Sequence, residues 1–286
     1  MRLAAGACWL APGALLLNAC AGGVPLLHPV HTLPEGEVSF AAGTSGHVTV
    51  GSLERADSRL EANAGVPGGA TTDPERRAFA QGALTRVAVA PGVAPFAAAR
   101  VGLGQHNEAG IAYTGRSFRV DGRHAFEWEK LALSLGLSAT GVLTHPGDEP
   151  EGRVGDEPKV GSGWRTINLT SATGYGLELP LLFGYRSSAD VVKLWTGLRG
   201  GFERDSANMS AVLAPDTVLG TTCKATRFWG GGLVGFSVGL APIEVRVELD
   251  AAYQSVHGDL LTEDGELSVS VVGWSLTPAM AISAKL

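Results

Sequence analysis

The sequence predicts an all-β fold: an antiparallel up-and-down transmembrane β-barrel with eight strands from residue 95 onward, or ten if 37–50 and 84–90 pair in. Three observations predict it. Residues 243–254, IEVRVELDAAYQ, put Ile243, Val245, Val247, Leu249, Ala251 and Tyr253 on one face and Glu244, Arg246, Glu248, Asp250 and Gln254 on the other, because a strand sends successive side chains to opposite sides. Most strand-like segments reach the ~9–11 residues that a tilted spanning strand needs, where ordinary strands average ~5–6. The connections tend to alternate between short turns and longer polar stretches, the arrangement of transmembrane barrels.

Composition narrows the class. Charged residues make up 17% of the 286, below the typical ~25%, and Gly is abundant at 40 residues. That excludes a charged disordered tail and a coiled coil. A net charge of −6 gives no footing for a nucleic-acid partner. No run reaches the ~20 apolar residues of a spanning helix.

The chain divides into 1–19, 20–94 and 95–286. Arg2 precedes a mostly apolar stretch, Leu3 to Leu17, and LNAC ends at Cys20. This resembles a bacterial lipoprotein signal, which implies removal of residues 1–19 and lipidation of Cys20. An ordinary secretory signal, cut at Ala19 or Ala21, is the rival reading. Cys8 leaves with the signal and Cys223 remains alone in a loop, so no intramolecular disulfide is expected. Residues 20–94 read as a lipidated tether and an ill-defined N-terminal region. Within it, 21–36 are Pro- and Gly-rich, 37–50 have weak strand character, DPERRAFAQGAL (73–84) suits a short helix capped by Asp73 with Pro74 in its first turn, and 84–90 suit a strand.

From residue 95 the strand-like segments are about 95–105, 109–120, 125–143, 174–186, 190–204, 226–240, 243–256 and 266–286. The third is the cleanest, with Leu131, Leu133, Leu135 and Leu137 on one face. Pro278 predicts a bulge or local irregularity in the last. Stretches 144–173, 205–225 and 257–265 read as long loops. Aromatics near strand ends suit interfacial girdles: Phe118, Phe126, Trp128 and Tyr185 toward the short turns, Phe202, Phe228 and Tyr253 toward the long loops.

The polar face is a balanced charge set: Arg100, Arg116, Glu178, Lys193, Arg199, Glu203, Glu244, Arg246, Glu248 and Asp250. Gly231, Gly235, Ser237 and Gly239 leave room for long side chains to meet. Buried charges must be paired, and an eight-stranded barrel is just wide enough to be filled by side chains. This predicts lipid outside Val245, an ionic network around Glu248, and no wide pore.

Residues 95–286 resemble the small bacterial outer-membrane β-barrel proteins. The resemblance rests on patterning and implies an outer-membrane location with the long loops extracellular. Leu286 stands where such barrels usually end in an aromatic residue, and a lipobox joined to a barrel is unusual. The role this implies is structural, or binding and adhesion through the loops, in a monomer without catalysis, cofactor or metal. Its partners are outer-membrane lipid and an unknown extracellular or periplasmic molecule.

Two other readings stay open. One is an outer-membrane hydrolase acting on lipid or peptide, with His257 and Asp259 at the rim. The other is a soluble periplasmic ligand-binding barrel whose Glu248 face meets water. GFSVG (235–239) matches a hydrolase pattern but sits mid-strand rather than at the required strand-to-helix turn. GGGLVG (230–235) lacks the helix that a phosphate cradle needs. His106, His145 and His257 are expected on outer loops and lack metal-ligand spacing.

Overall fold

The computed structural model describes residues 25–64, 72–144, 167–214, 217–262 and 265–286; the signal, Cys20 and residues 145–166 lie outside them. Ten antiparallel strands close into a barrel: β1 (Val38–Val50), β2 (Gly92–Gly104), β3 (Asn107–Tyr113), β4 (Ser117–Trp128), β5 (Leu131–Thr144), β6 (Ile167–Arg186), β7 (Val192–Ala214), β8 (Thr217–Leu240), β9 (Ile243–Thr262) and β10 (Gly265–Lys285). The wall therefore begins at Val38, so 37–50 pairs in as the ten-stranded option expects. β1 closes the ring by pairing with both β10 and β2. Two helices, α1 (Ser52–Ala64) and α2 (Asp73–Ala88), form a hairpin between β1 and β2.

Several expectations need correction. Segments 109–120 and 125–143 are not single strands; the chain reverses at 114–116 and again at 129–130. Gly115 adopts φ +74°, Thr114 N–H donates to Ser117 O at 3.1 Å, and the two hydroxyls meet at 2.9 Å, which fixes the first reversal. Residues 84–88 belong to α2, not to a strand. Thr72, not Asp73, caps that helix, with its N–H donating to Glu75 Oε2 at 3.0 Å.

Stretches 205–225 and 257–265 are mostly strand. β7 runs on to Ala214, β8 starts at Thr217, β9 reaches Thr262 and β10 starts at Gly265. Cys223 accordingly lies in β8, buried, and not in a loop. Pro278 keeps its register opposite Leu249. The irregularity falls on its other side, where pairing with β1 lapses between Ser45 and Val48, as a missing ladder donor requires.

The wall has two zones of opposite polarity. On β9 the outward side chains from Ile243 to Tyr253 are apolar, whereas Ser255, His257 and Asp259 beyond them are polar. β6 repeats this with Tyr175, Leu177, Leu179, Leu181, Phe183 and Tyr185, all exposed. Eleven residues at ~3.3 Å each, tilted by ~40°, give a band about 25 Å tall, the height of a transmembrane apolar belt.

Aromatic pairs mark its upper edge: Tyr175–Phe202 at 6.3 Å, Phe202–Phe228 at 5.2 Å and Tyr253–Trp274 at 5.5 Å. Phe118 belongs to this edge too, packed on Tyr113 at 4.8 Å, and not to the short-turn edge with Phe126, Trp128 and Tyr185. The extra reversal at 114–116 moves it. We call the end where β1 begins and β10 ends the mouth and the opposite end the crown.

In the crown the pattern inverts. Ala207, Met209, Cys223, Ala225, Val256 and Leu260 turn inward and bury Leu53, Leu60, Leu84 and Val87 of the hairpin. The helices touch closely at Gly82, where a Cβ would lie 2.4 Å from Leu60 Cβ. Arg86 Nε pairs with Asp57 at 2.7 Å, and Gln81 Nε2 donates to Ser270 O at 3.1 Å, tying the hairpin to β10.

Candidate functional site

An eight-stranded barrel is filled by its own side chains; each added strand widens it. In this ten-stranded wall the surplus space takes backbone. The hairpin fills the crown, residues 25–36 run up the lumen from the mouth, and a charged layer lies between them.

The charged layer is paired strand to strand. Arg199 lies 3.1 Å from Glu178 and 3.0 Å from Asp250 and stacks 4.6 Å from the Trp229 ring. Arg100 pairs with Glu108 and, at 2.8 Å, with Asp121. Arg123 joins Glu108 at 2.9 Å. Lys193 pairs with Glu244, which also takes Arg246 at 3.3 Å, and Arg227 pairs with Glu203. Arg116 projects from the β3–β4 turn to Val87 O of α2, 3.6 Å from Asp205. Glu248 is 1% exposed and binds the N-terminal segment instead of a base.

The ten charges singled out in the sequence thus line one lumen, although Arg116 sits at its crown end on a turn. Sequence reasoning missed Glu108, Arg119, Asp121, Arg123, Asp205 and Arg227. Arg119, Asp121 and Arg123 alternate with Phe118, Val120 and Gly122, a signal hidden by a supposed turn at 121–124. Gly235 leaves room as expected: a Cβ there would lie 2.1 Å from the Trp195 ring.

The lumen grips residues 25–33 by their main chain. Glu248 accepts Leu26 N–H at 2.7 Å and Leu27 N–H at 2.9 Å, and also Trp195 Nε1–H at 3.0 Å. Leu27 itself has φ +49°, so the chain turns just after the two N–H groups that share this carboxylate. Glu127 accepts Thr32 N–H at 2.8 Å and Glu108 accepts Leu33 N–H at 2.9 Å. The carbonyls go to arginines: Pro25 O to Arg119 at 3.0 Å, Leu27 O to Arg246 at 3.3 Å, and Pro29, Val30 and His31 O to Arg123. Arg123 Nη1 also donates to His28 Nδ1 at 2.9 Å. A guanidinium only donates, so that imidazole is neutral.

The side chains of the segment fill apolar sockets. Leu26 and Val30 pack among Ala132, Leu182, Trp195 and Leu233. Leu27 packs among Ala41, Phe96, Ala112, Ala279 and Ala281.

The remaining candidates scatter. His106 is exposed at the mouth and His257 faces outward in the crown, so the structure does not bring them together; His145 lies outside the described residues. His257 Nε2 meets Ser255 Oγ at 3.1 Å, while Asp259 accepts from Ser268 at 2.7 Å rather than from the imidazole. Ser237 is buried in mid-strand. Among the described residues no His, Cys, Asp or Glu cluster has metal-binding geometry.

No family model and no curated protein matches the chain. The solved structures it resembles include outer-membrane β-barrel proteins. Neisserial surface protein A is 13% identical over 87% of this chain and 96% of that one, with a TM-score of 0.30. A major outer membrane protein from Thermus thermophilus is 11% identical over 87% and 99%, with a TM-score of 0.36. Ail, the attachment invasion locus protein of Yersinia pestis, is 10% identical over 88% and 100%, with a TM-score of 0.27. At these values the likeness carries no argument, and the strand pairing of this chain defines its barrel independently.

Proposed function

We propose that this protein is an outer-membrane β-barrel of the bacterial envelope, sealed rather than conducting, with a structural or binding role exercised through its crown. One observation supports this above the others: the polarity inversion on a single continuous wall. Below the aromatic edge, leucines and valines face outward and charges face inward; above it, polar groups face outward and apolar groups inward. A soluble barrel has no reason to change sides halfway up. A wall that passes from lipid into water has to, because apolar surface gains from lipid contact below and from the hairpin above.

The crown would then be extracellular and the mouth periplasmic, with lipid against Val245. Lipidation of Cys20, five residues before the bore-held Pro25, belongs to the same proposal. The two fillings oppose conduction, since hairpin and segment occupy the bore in series.

The test has two parts. Boiled and unboiled detergent-extracted protein should differ in gel mobility, and the unboiled protein in a planar bilayer should give no conductance steps. Identical mobility, with release into water once lipid is removed, would mean a soluble domain. Mass measurement of the mature N-terminus tests the lipid separately: an unmodified start after Ala19 or Ala21 would remove the anchor and leave the barrel reading intact.

A further inference from the structure

We propose that the mouth half of the lumen is a peptide-binding site whose built-in occupant is residues 25–34. The inference rests on the closed barrel and its filling, and not on the membrane reading. Between Pro25 and Leu33 the main-chain bonds to the wall, among the described residues, go to charged side chains: carboxylates take N–H groups and arginines take carbonyls. An ordinary core segment joins the sheet ladder or packs as a helix. A bound peptide is held in the way seen here, through its backbone for affinity and through side-chain sockets for choice.

The wall is complete without this segment, because pairing closes from Val38 and Ser39 onward. It is also shaped to receive it. A Cβ at Gly184 would lie 2.6 Å from Val30 Cγ2, and one at Gly102 would lie 2.0 Å from Pro34 O. At the mouth Pro34, Glu35 and Gly36 are exposed; Gly36 takes φ +80° and its N–H donates to Gly102 O at 3.0 Å. Beside the segment a cavity of about 140 Å³, lined in part by His31, Arg123, Lys193 and Arg246, opens at the mouth.

Withdrawal would leave Glu248 without the Leu26 and Leu27 N–H groups and Arg123 with Glu108 but without its carbonyls, a costly state that a second peptide would relieve. The fitting ligand is an extended, uncharged peptide with two adjacent leucines, entering from the mouth.

The experiment uses the full chain with a protease site inserted between Glu35 and Gly36, where a Cβ on Gly36 meets nothing within 4 Å. After folding and cutting in detergent, a fluorophore-labelled synthetic peptide of residues 25–35 is added and its polarisation followed. Uncut barrel should not take up the peptide, and cut barrel should bind it one to one. A peptide with both Leu26→Asp and Leu27→Asp should bind at least about tenfold more weakly. Glu248→Gln in the cut barrel should weaken the native peptide by at least about thirtyfold, since charge-assisted bonds are lost.

Three outcomes would overturn the proposal: a cut segment that never exchanges over days, equal binding of the native and double-Asp peptides, or loss of the heat-sensitive gel band on cutting. The last would make the segment part of the folding core. The boiled-against-unboiled comparison on uncut protein tests the membrane reading independently.

Discussion

Glu248→Gln is the sharpest single perturbation of the lumen. Both carboxylate oxygens act as acceptors, Oε1 for Leu26 N–H and Oε2 for Leu27 N–H and Trp195 Nε1–H, as an ionised group does. A glutamine of the same shape keeps one carbonyl oxygen and turns an NH2 toward donors. At least one charge-assisted bond is lost, at ~1.5–3 kcal/mol, and a buried N–H is left unpaired, at ~1–3 kcal/mol. Relaxation offsets part of this, so we take roughly 2–4 kcal/mol for local release of the segment. At ~1.4 kcal/mol per factor of ten, its opening constant should rise roughly 30- to 700-fold. Hydrogen exchange followed by mass spectrometry reads this directly, because local opening free energies set protection. Peptides covering residues 25–34 should lose protection by that factor, while peptides from β6 and β9 hold theirs. Glu266→Gln, exposed in the crown, serves as the control. Protection within threefold of the unaltered protein would mean that the carboxylate does not hold the segment, and the account of the lumen would fail.

Arg246→Ala should lower the unfolding temperature of the barrel. Breaking a buried pair costs ~3–5 kcal/mol, but Glu244 keeps Lys193 and, at 3.3 Å, Lys285, so about 2–3 kcal/mol is expected; an unchanged temperature would speak against burial of that guanidinium. Leu249→Arg, at mid-belt, should cost ~2–4 kcal/mol in lipid, whereas Asp259→Arg on the same strand face should cost little, and equal effects in refolding titrations into vesicles would contradict the belt. Leu84→Ala in α2 removes a side chain that is 1% exposed and should destabilise the hairpin by ~2–5 kcal/mol. Limited proteolysis should then cut within 52–90 before the wall is touched; simultaneous loss of the wall would show that hairpin and barrel unfold as one.

How much of this was legible in the sequence depended on which signal a residue carried. The strand was legible because strict alternation over Ile243–Tyr253 has one geometric meaning, and the expectation of lipid outside it needed segment length, loop asymmetry, aromatics and the charged face as well. The lumen charges on long strands followed from the same register. Two reversals were not, because TGR at 114–116 and EK at 129–130 lie within runs that alternate on both sides and carry only one glycine between them. Without them β3, β4 and β5 read as two segments, one strand too few, and Phe118 falls on the wrong edge; the tenth strand is β1, from 37–50. The crown was misread for a different reason. Residues 205–225 are polar and small, and polarity was taken for loop. Above the aromatic edge the outward face is polar, and the inward face there, with Ala207, Met209, Cys223 and Ala225, is too small-sided to look like a core until the hairpin supplies its leucines.

The role of residues 25–34 was invisible for a physical reason that also explains the lumen's chemistry. LLHPVHTLP has no charge, no period and two prolines, so nothing in it announces a partner. The recognition is written in the wall, in groups from several different strands, and backbone atoms are the target. A wall that must hold peptide main chain in a space closed to water needs both donors and acceptors of high strength, which is to say arginines and carboxylates in near balance. The same balance keeps the buried charge tolerable when the wall is considered alone. An ionic network in a barrel therefore has two explanations, self-pairing and ligand-holding. Glu248 bears on the choice: Arg199 acts on it electrostatically, yet its hydrogen bonds go to Leu26, Leu27 and Trp195, so this carboxylate serves the segment as well as the network.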